Sequence, residues 1–216
     1  MTQPATRRRD KLAPDPGVRR TILTAASKSV REQGVRGLSI AAVLERAQLS
    51  TRAFYRHFDS KDQLVGAVFL EMARVEVRRL RRKMDKAGTP VEAVAAWIDG
   101  RLDLAFDDNI KSDLHQLSME AQSQMFVSPG LIQPAYAHLL EPLIEQLQRG
   151  LDDGAFHGID PTSTARSIQG VVWSCTEQHW ATSDCERSDV RRTALQFCLR
   201  GLGVAPDTIA RLARHD

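Results

Sequence analysis

Residues 49–64 read LSTRAFYRHFDSKDQL, a composition that suits neither a core helix nor a solvated one. Between Thr51 and Ser60 the segment holds four aromatic rings, counting His57, together with two arginines. A buried helix disfavours the arginines, and a solvated helix disfavours two phenylalanines and a tyrosine. The segment is therefore predicted to have two different faces.

A helical wheel at about 100° per residue separates residues 51–58 into two sides. Phe54 and Phe58 fall on one side with Ala53 and His57. The phenylalanines are predicted to anchor a short helix to a small core, and the other side then points outward. The outward side carries Thr51, Arg52, Tyr55 and Arg56. These side chains suit the DNA major groove, which admits one helix and whose base edges are read by arginine side chains, hydroxyls and apolar contacts. The alternative to a DNA-binding helix is a small helical bundle with an incidental basic face.

The pattern along the rest of the chain predicts an all-α protein. Apolar residues recur at helical spacing, and strand-like alternation is absent. Ser39, Ser50 and Ser188 stand where they could cap helices. Helices are predicted over residues 19–33, 40–47, 51–58, 61 to about 86, 91–106, 110–124, 128–151, 160 to about 183, 188–202 and 206–214.

Charge is distributed unevenly along the 216 residues. Residues 1–86 carry 20 Lys and Arg against 9 Asp and Glu, or +11, and residues 87–216 carry 10 against 18, or −8. A basic first part predicts contact with a polyanion, either nucleic acid or an anionic membrane surface. No apolar run is long enough for a membrane span. Three cysteines without C-x-x-C spacing favour neither a zinc site nor a disulfide framework, and they suit a reducing cytoplasm.

Three strings together resemble the DNA-binding domain of the tetracycline-repressor (TetR) family: SIAAV at 39–43, LSTRAFYRHF at 49–58 and SKDQL at 60–64. Residues 1–17 are basic and contain prolines, and they are predicted to form a flexible solvated arm, with an arm that touches DNA as the alternative. The resemblance implies a three-helix helix-turn-helix domain (18–66) and a ligand-binding and dimerisation domain (67–216). It further implies that Thr51, Arg52 and Tyr55 face bases or sugars. Two departures are Gln48, where the family usually has glycine, and Leu44, where it favours alanine. The phosphate contacts implied are Ser39, Ser50, Arg56, His57 and Lys61.

The family also implies that the last two long helices pair with their dimer mates. Two apolar stripes lie there, one from Ala165 to His179 and one from Val190 to Cys198. Part of each stripe must serve the chain's own core. Large apolar groups suit a pocket for an apolar or aromatic effector, with His138, Gln169 and Glu177 able to orient it. The candidate pocket residues are Trp97, Met119, Met125, Phe126, Gln169, Trp173, Glu177 and Trp180.

Together with these patterns, the resemblance implies a cytoplasmic, ligand-responsive repressor that binds palindromic operator DNA as a homodimer, without cofactor, metal or catalytic site. An activator or architectural protein of the same fold, without an effector, is one alternative. An enzyme using Cys175 and His179, which share a helical face, is another, although no third ligand or oxyanion element accompanies them. The sequence names neither operator nor effector.

Overall fold

The computed structural model describes residues 15–182 and 184–214, apart from the side chains of 108–114. The predicted basic arm therefore lies almost wholly outside the described residues. The all-α prediction is confirmed, since the described part contains helices and no strand. The helices are α1 (Pro16–Gly37), α2 (Ile40–Ala47), α3 (Thr51–Phe54), α4 (Lys61–Met84), α5 (Pro90–Phe106), α6 (Asp108–Val127), α7 (Pro129–Asp152), α8 (Pro161–Thr182), α9 (Arg187–Gly201) and α10 (Pro206–Arg214).

The chain divides into two compact units between Val65 and Gly66. The first unit contains α1 to α3, and the second contains α5 to α10. Helix α4 begins in the first unit and continues through the division without a break.

Helix α1 is longer at both ends than the predicted span 19–33. Pro16 occupies its first turn, where the missing N–H costs nothing, and the carboxylate of Asp15 accepts a hydrogen bond from the Gly17 N–H at 2.7 Å. Gly34 has φ 70°, and this left-handed residue puts a kink in the helix rather than ending it. The helix resumes after Gly34 and closes at Gly37.

Helices α2 and α3 are joined by a tight turn at Gln48, which has φ 54° and ψ 42°. The N–H of Leu49 bonds to the carbonyl of Leu44 at 2.9 Å and closes the turn. A left-handed conformation costs a residue with a Cβ on the order of 1 kcal/mol. Gln48 adopts this conformation at a position where glycine was expected from the resemblance.

The predicted third helix was too long, because α3 ends at Phe54 instead of reaching residue 58. Beyond it, the N–H groups of Arg56 and His57 bond three residues back, to Ala53 and Phe54. Such bonds tighten the last turn of a helix. The Phe58 N–H still reaches the Phe54 carbonyl at 3.0 Å, so Phe58 keeps the inward direction that the wheel predicted.

The second unit is built around α5, which contacts α6, α7, α8 and α9. Trp97, Ile98 and Leu102 of this helix are fully buried. Its start is fixed by Thr89, whose hydroxyl accepts from the Glu92 N–H at 3.2 Å. Helix α9 begins at Arg187 with Glu186 as its capping position, so the prediction that Ser188 caps it was wrong.

Candidate nucleic-acid interface and effector cavity

The short helix α3 is held by two buried phenylalanines. Phe54 is 0% and Phe58 1% exposed, and their ring centroids lie 5.7 Å apart. The guanidinium of Arg19 lies over the Phe58 ring, 5.2 Å from its centroid. The prediction that both phenylalanines face inward is confirmed. They belong to a core that also contains Ile22, Leu23, Ala25, Ala26, Val30, Leu38, Val43 and Leu44.

The opposite side of this segment is open to solvent. Tyr55 is 59% exposed, and Thr51, Arg52 and Arg56 are also exposed. The Tyr55 and Phe54 rings are nearly perpendicular, at 86°, with centroids 5.2 Å apart. Because this contact holds the phenol ring against a buried ring, Tyr55 is presented in a restricted direction despite its exposure.

The residues expected at phosphates lie at the ends of neighbouring elements. Ser50 is the N-cap of α3, and its hydroxyl accepts from the Ala53 N–H at 3.3 Å. Ser39 occupies the N-cap position of α2, as predicted, but its side chain makes no capping hydrogen bond. His57 is half-buried just after α3, and Lys61 is half-buried at the first position of α4.

The cations near α3 differ in whether they are paired. Arg46 on α2 bonds to Glu32 at 2.8 Å, which neutralises it. Within the described part of the chain, Arg52, Arg56 and Lys61 form no ion pair with a carboxylate. Three unpaired cations around one exposed helix face create the positive field that phosphates require.

A cavity of about 60 Å³ opens inside the second unit. It has room for a few water molecules and is smaller than the roughly 150 Å³ cavity that holds a benzene ring. An aromatic guest therefore fits only if the wall moves. The wall consists of Phe69, Met72, Ala73, Glu76, Arg101, Leu104, Ser118, Ala121, Gln122, Met125, Ile132, Ala135, Tyr136, Leu139, Gln169 and Trp173.

The polar part of this wall includes a buried ion pair. Glu76 and Arg101 are 3% and 5% exposed, and the Arg101 Nη1 donates to the Glu76 carboxylate at 2.9 Å. Arg79 donates to the same carboxylate at 2.8 Å. Burial alone would raise the pKa of Glu76, but the hydrogen bond from Arg79 and the charge of Arg101 outweigh it, and the pKa lies below its usual value. Glu76 is therefore ionised at neutral pH.

A second buried carboxylate extends this ion pair to neighbouring helices. Asp103 accepts from Arg79 at 3.1 Å, from Lys83 at 2.6 Å and from Arg187 at 3.1 Å. The resulting charge network joins α4, α5 and α9. It connects the α4 wall of the cavity to α5 and α9.

Three of the predicted pocket residues line this cavity: Met125, Gln169 and Trp173. The other five do not, and their side chains have different surroundings. Trp97 is fully buried in the core, whereas Met119 is 41% and Phe126 83% exposed. Glu177 is exposed, and Trp180 is half-buried beside Trp173, with ring centroids 5.5 Å apart.

The sequence prediction missed the charged members of the wall. Arg101 lies in the mainly apolar α5, between Asp99 and Asp103. A cation inside an apolar helix must be paired when it is buried, and that signal was available. His138, expected to orient an effector, instead lies 2.8 Å from Glu141.

The surroundings of Cys175 and His179 do not favour a reactive pair. Burial raises the pKa of the half-buried Cys175, so the protonated thiol is favoured. The His179 ring lies against Phe106, with centroids 4.0 Å apart, and its Nδ1 is buried without a hydrogen bond. No group of three potential metal ligands occurs among residues with described side chains.

The predicted dimerisation stripes serve mainly the chain's own core. Ala165, Ile168, Val172 and Ala194 are buried, but Phe197 on α9 is 68% exposed. Phe197 borders a groove between α8 and α9. One exposed stripe of α8 consists of small residues, namely Ser163, Ser167, Gly170 and Ser174.

Comparison with known proteins identifies the first unit. Residues 22–68 match the family described as bacterial regulatory proteins, tetR family. Over this segment the chain is similar to TetR-family regulators. The match covers α2, α3 and most of α1, together with the first residues of α4.

Relatives within the TetR family match different lengths of the chain. The transcriptional repressor KstR of Mycolicibacterium smegmatis is 26% identical over 179 residues, which is 81% of each chain. The regulator BetI of Brucella suis is 28% identical over 88 residues, or 41% of this chain. The chain therefore spans 44% of the length of BetI, which is less than half.

Solved structures share the fold across both units. The crystal structure of RolR in complex with resorcinol has a TM-score of 0.64 and 21% identity, and covers 93% of this chain and 94% of its own. At that identity the likeness shows the all-helical architecture. None of the helices in the described part is long and apolar enough to cross a membrane.

Proposed function

We propose that this chain is a ligand-responsive transcriptional repressor of the TetR family that binds palindromic operator DNA as a homodimer. Residues 18–66 would bind DNA, and residues 67–216 would bind the effector and the second protomer. The observation that carries the proposal is the contrast within one segment, where Phe54 and Phe58 are buried and Tyr55 is 59% exposed.

For DNA, the proposed arrangement places α3 in the major groove. The second helix of a helix-turn-helix lies in that groove with its N-terminal residues against base edges. Thr51, Arg52 and Tyr55 would then face bases or the sugars beside them. Phosphates on either side would be held by Ser39, Ser50, Arg56, His57 and Lys61.

A two-fold dimer is supported by the exposed face of α8 and α9. Small side chains allow two helices to approach closely, and an exposed phenylalanine supplies apolar area to bury. The Ser167 hydroxyl bonds to the carbonyl of Ser163 at 3.1 Å, so burying it leaves no unpaired donor. Two recognition helices on one dimer match half-sites about one helical turn apart.

An effector in the cavity would act through α4. Phe69, Met72, Ala73 and Glu76 of the wall belong to this helix. Since the unfilled cavity is too small for an aromatic ring, a bound ring would displace wall atoms and favour a different position of α4. A ligand shifts such an equilibrium only by its difference in affinity for the two states. RolR, with resorcinol bound, is a structural neighbour that takes a small aromatic ligand.

The proposal is tested by selecting fragments of the host genome with the purified full-length chain and measuring binding to them by electrophoretic shift. Enrichment of fragments that share a palindrome, with two protomers bound per site, is expected. Enrichment of no common sequence would contradict the proposal. Expression of the neighbouring gene in a deletion strain then separates repression, in which transcript rises, from activation, in which it falls.

A further inference from the structure

Two buried polar atoms in the cavity wall have no hydrogen-bond partner. They are the Nε of Arg101 and the Oε1 of Gln169, in side chains that are each 5% exposed. The Arg101 Nη1 donates a hydrogen bond to the Glu76 carboxylate, so the Arg101 Nε–H remains available as a donor. Gln169 provides an acceptor from α8. Both side chains line the cavity, so its wall includes one donor and one acceptor that no protein group uses.

A hydroxyl group matches this pair of atoms. Its oxygen can accept from the Arg101 Nε–H while its proton is donated to the Gln169 Oε1. Leaving either atom unpaired in the bound state would retain its desolvation penalty. A hydrocarbon offers neither a donor nor an acceptor, and a carboxylate offers acceptors only.

The charge of the wall also disfavours an anion. The Arg101 charge is already compensated by Glu76, which is ionised and itself lines the cavity. A second carboxylate would lie near the first in a region of low dielectric, where like charges repel strongly. Tyr136 also lines the cavity, and burial raises the pKa of its phenol, so it contributes a neutral hydroxyl.

We infer that the cavity selects a neutral hydroxylated compound, a phenol or an alcohol with an apolar body, and that Arg101 and Gln169 recognise its hydroxyl. The apolar body would lie against Phe69, Leu139 and Trp173. This inference rests on the proposed function insofar as it treats the cavity as the effector site. It adds the chemical class of the effector and the two residues that define it.

Three aromatic probes test the inference: 4-methylphenol, toluene and 4-methylbenzoate. The cost of widening the cavity is similar for 4-methylphenol and toluene, so the difference between their affinities reports the hydroxyl, and 4-methylbenzoate tests the effect of a negative charge. Isothermal titration with the full-length chain is expected to give roughly tenfold tighter binding of 4-methylphenol than of either other probe. Tightest binding of 4-methylbenzoate, or binding of none of the three at 1 mM, would overturn the inference.

The variant Gln169→Leu removes the acceptor and keeps an apolar side chain of similar size. It is expected to reduce the preference for 4-methylphenol over toluene from about tenfold to about twofold or less. Gln146→Leu is the matched control, because the Gln146 Oε1 is also buried without a partner but does not line the cavity. The control is expected to keep the full preference. An unchanged preference in Gln169→Leu would contradict the assignment.

Release of operator DNA distinguishes this inference from the proposed function. Binding of 4-methylphenol with the predicted preference, but without release of DNA, would support hydroxyl recognition and contradict effector control by this compound class. Release of DNA by a carboxylate or hydrocarbon that binds more tightly than its hydroxyl analogue would support effector control and overturn the hydroxyl assignment.

Discussion

Phe54 and Tyr55 are adjacent in sequence and opposite in environment: the first is 0% and the second 59% exposed, with their rings edge-to-face at 5.2 Å. The buried ring fixes the direction of the exposed one. A four-residue helix could not hold such an orientation by its own hydrogen bonds, because isolated short helices are unstable. The interior of the first unit therefore determines what α3 presents to solvent.

Removing the anchor should unfold the first unit. Phe54→Ala is expected to lower the free energy of unfolding by about 3–5 kcal/mol, since it leaves a cavity among fully buried neighbours. Phe126→Ala is the control, because Phe126 is 83% exposed and its loss should change stability by less than about 0.5 kcal/mol. Urea denaturation followed by circular dichroism measures both. Equal effects of the two substitutions would refute the burial of Phe54.

The buried charge network should stabilise the second unit more than a surface pair does. Glu76→Gln is expected to cost about 3 kcal/mol, because it leaves Arg101 buried beside a neutral partner. Glu145→Gln removes a comparable pair with Arg81, in which both side chains are about half exposed, and should cost at most about 1 kcal/mol. Chemical denaturation at pH 7 compares the two variants. A larger loss for Glu145→Gln would contradict the structure.

The ion pair between Glu76 and Arg101 predicts that the stability of the folded chain depends on pH. The pKa of Glu76 is lower in the folded chain than its ordinary value of 4.5. The stabilisation that the ionised Glu76 carboxylate gives to the folded chain is therefore fully present above about pH 4.5. It is lost as the pH falls through the lower pKa that Glu76 has in the folded chain. The stability difference between wild type and Glu76→Gln should shrink as the pH falls below 4.5. A difference that stays constant down to pH 3 would show that Glu76 is not ionised in the folded state.

The turn before α3 contains strain that glycine would relieve. Gln48→Gly is expected to raise the free energy of unfolding by about 0.5–1 kcal/mol, because glycine adopts φ 54° without a Cβ clash. Ala42→Gly, at an exposed helical position in α2, should lower it by a similar amount. Thermal denaturation gives the sign of each change. Destabilisation by Gln48→Gly would argue against the left-handed conformation.

Lys61 should contribute to DNA affinity without contributing to sequence choice. Lys61→Ala is expected to weaken binding to operator and to random DNA by a similar factor, and to reduce the slope of log affinity against log salt by about 1. Lys86→Ala removes the same charge from an exposed position beyond the end of α4 and serves as the control. Binding titrations at several salt concentrations test both. A loss confined to the operator would contradict the phosphate role.

The local patterns of the sequence predicted much of the fold. Helical periodicity located the main helices, and the wheel correctly separated Phe54 and Phe58 from Tyr55. The end of α3 was missed because the turn after it keeps the same inward direction with bonds of a different spacing. The cavity was predicted poorly, since large apolar residues such as Trp97 and Phe126 differ only in tertiary context. The sequence indicated that a buried Arg101 needs a partner, but it could not identify Glu76, which lies 25 residues away on another helix.

The most direct test of the DNA-reading face is the affinity of Tyr55→Ala for a selected operator fragment and for a shuffled fragment of equal length. Fluorescence anisotropy at fixed salt should show about tenfold weaker binding to the operator and a smaller ratio between the two fragments. Val75→Ala, an exposed apolar position on α4, should leave both values unchanged. Unaltered operator affinity in Tyr55→Ala would show that the exposed side of α3 does not contact DNA.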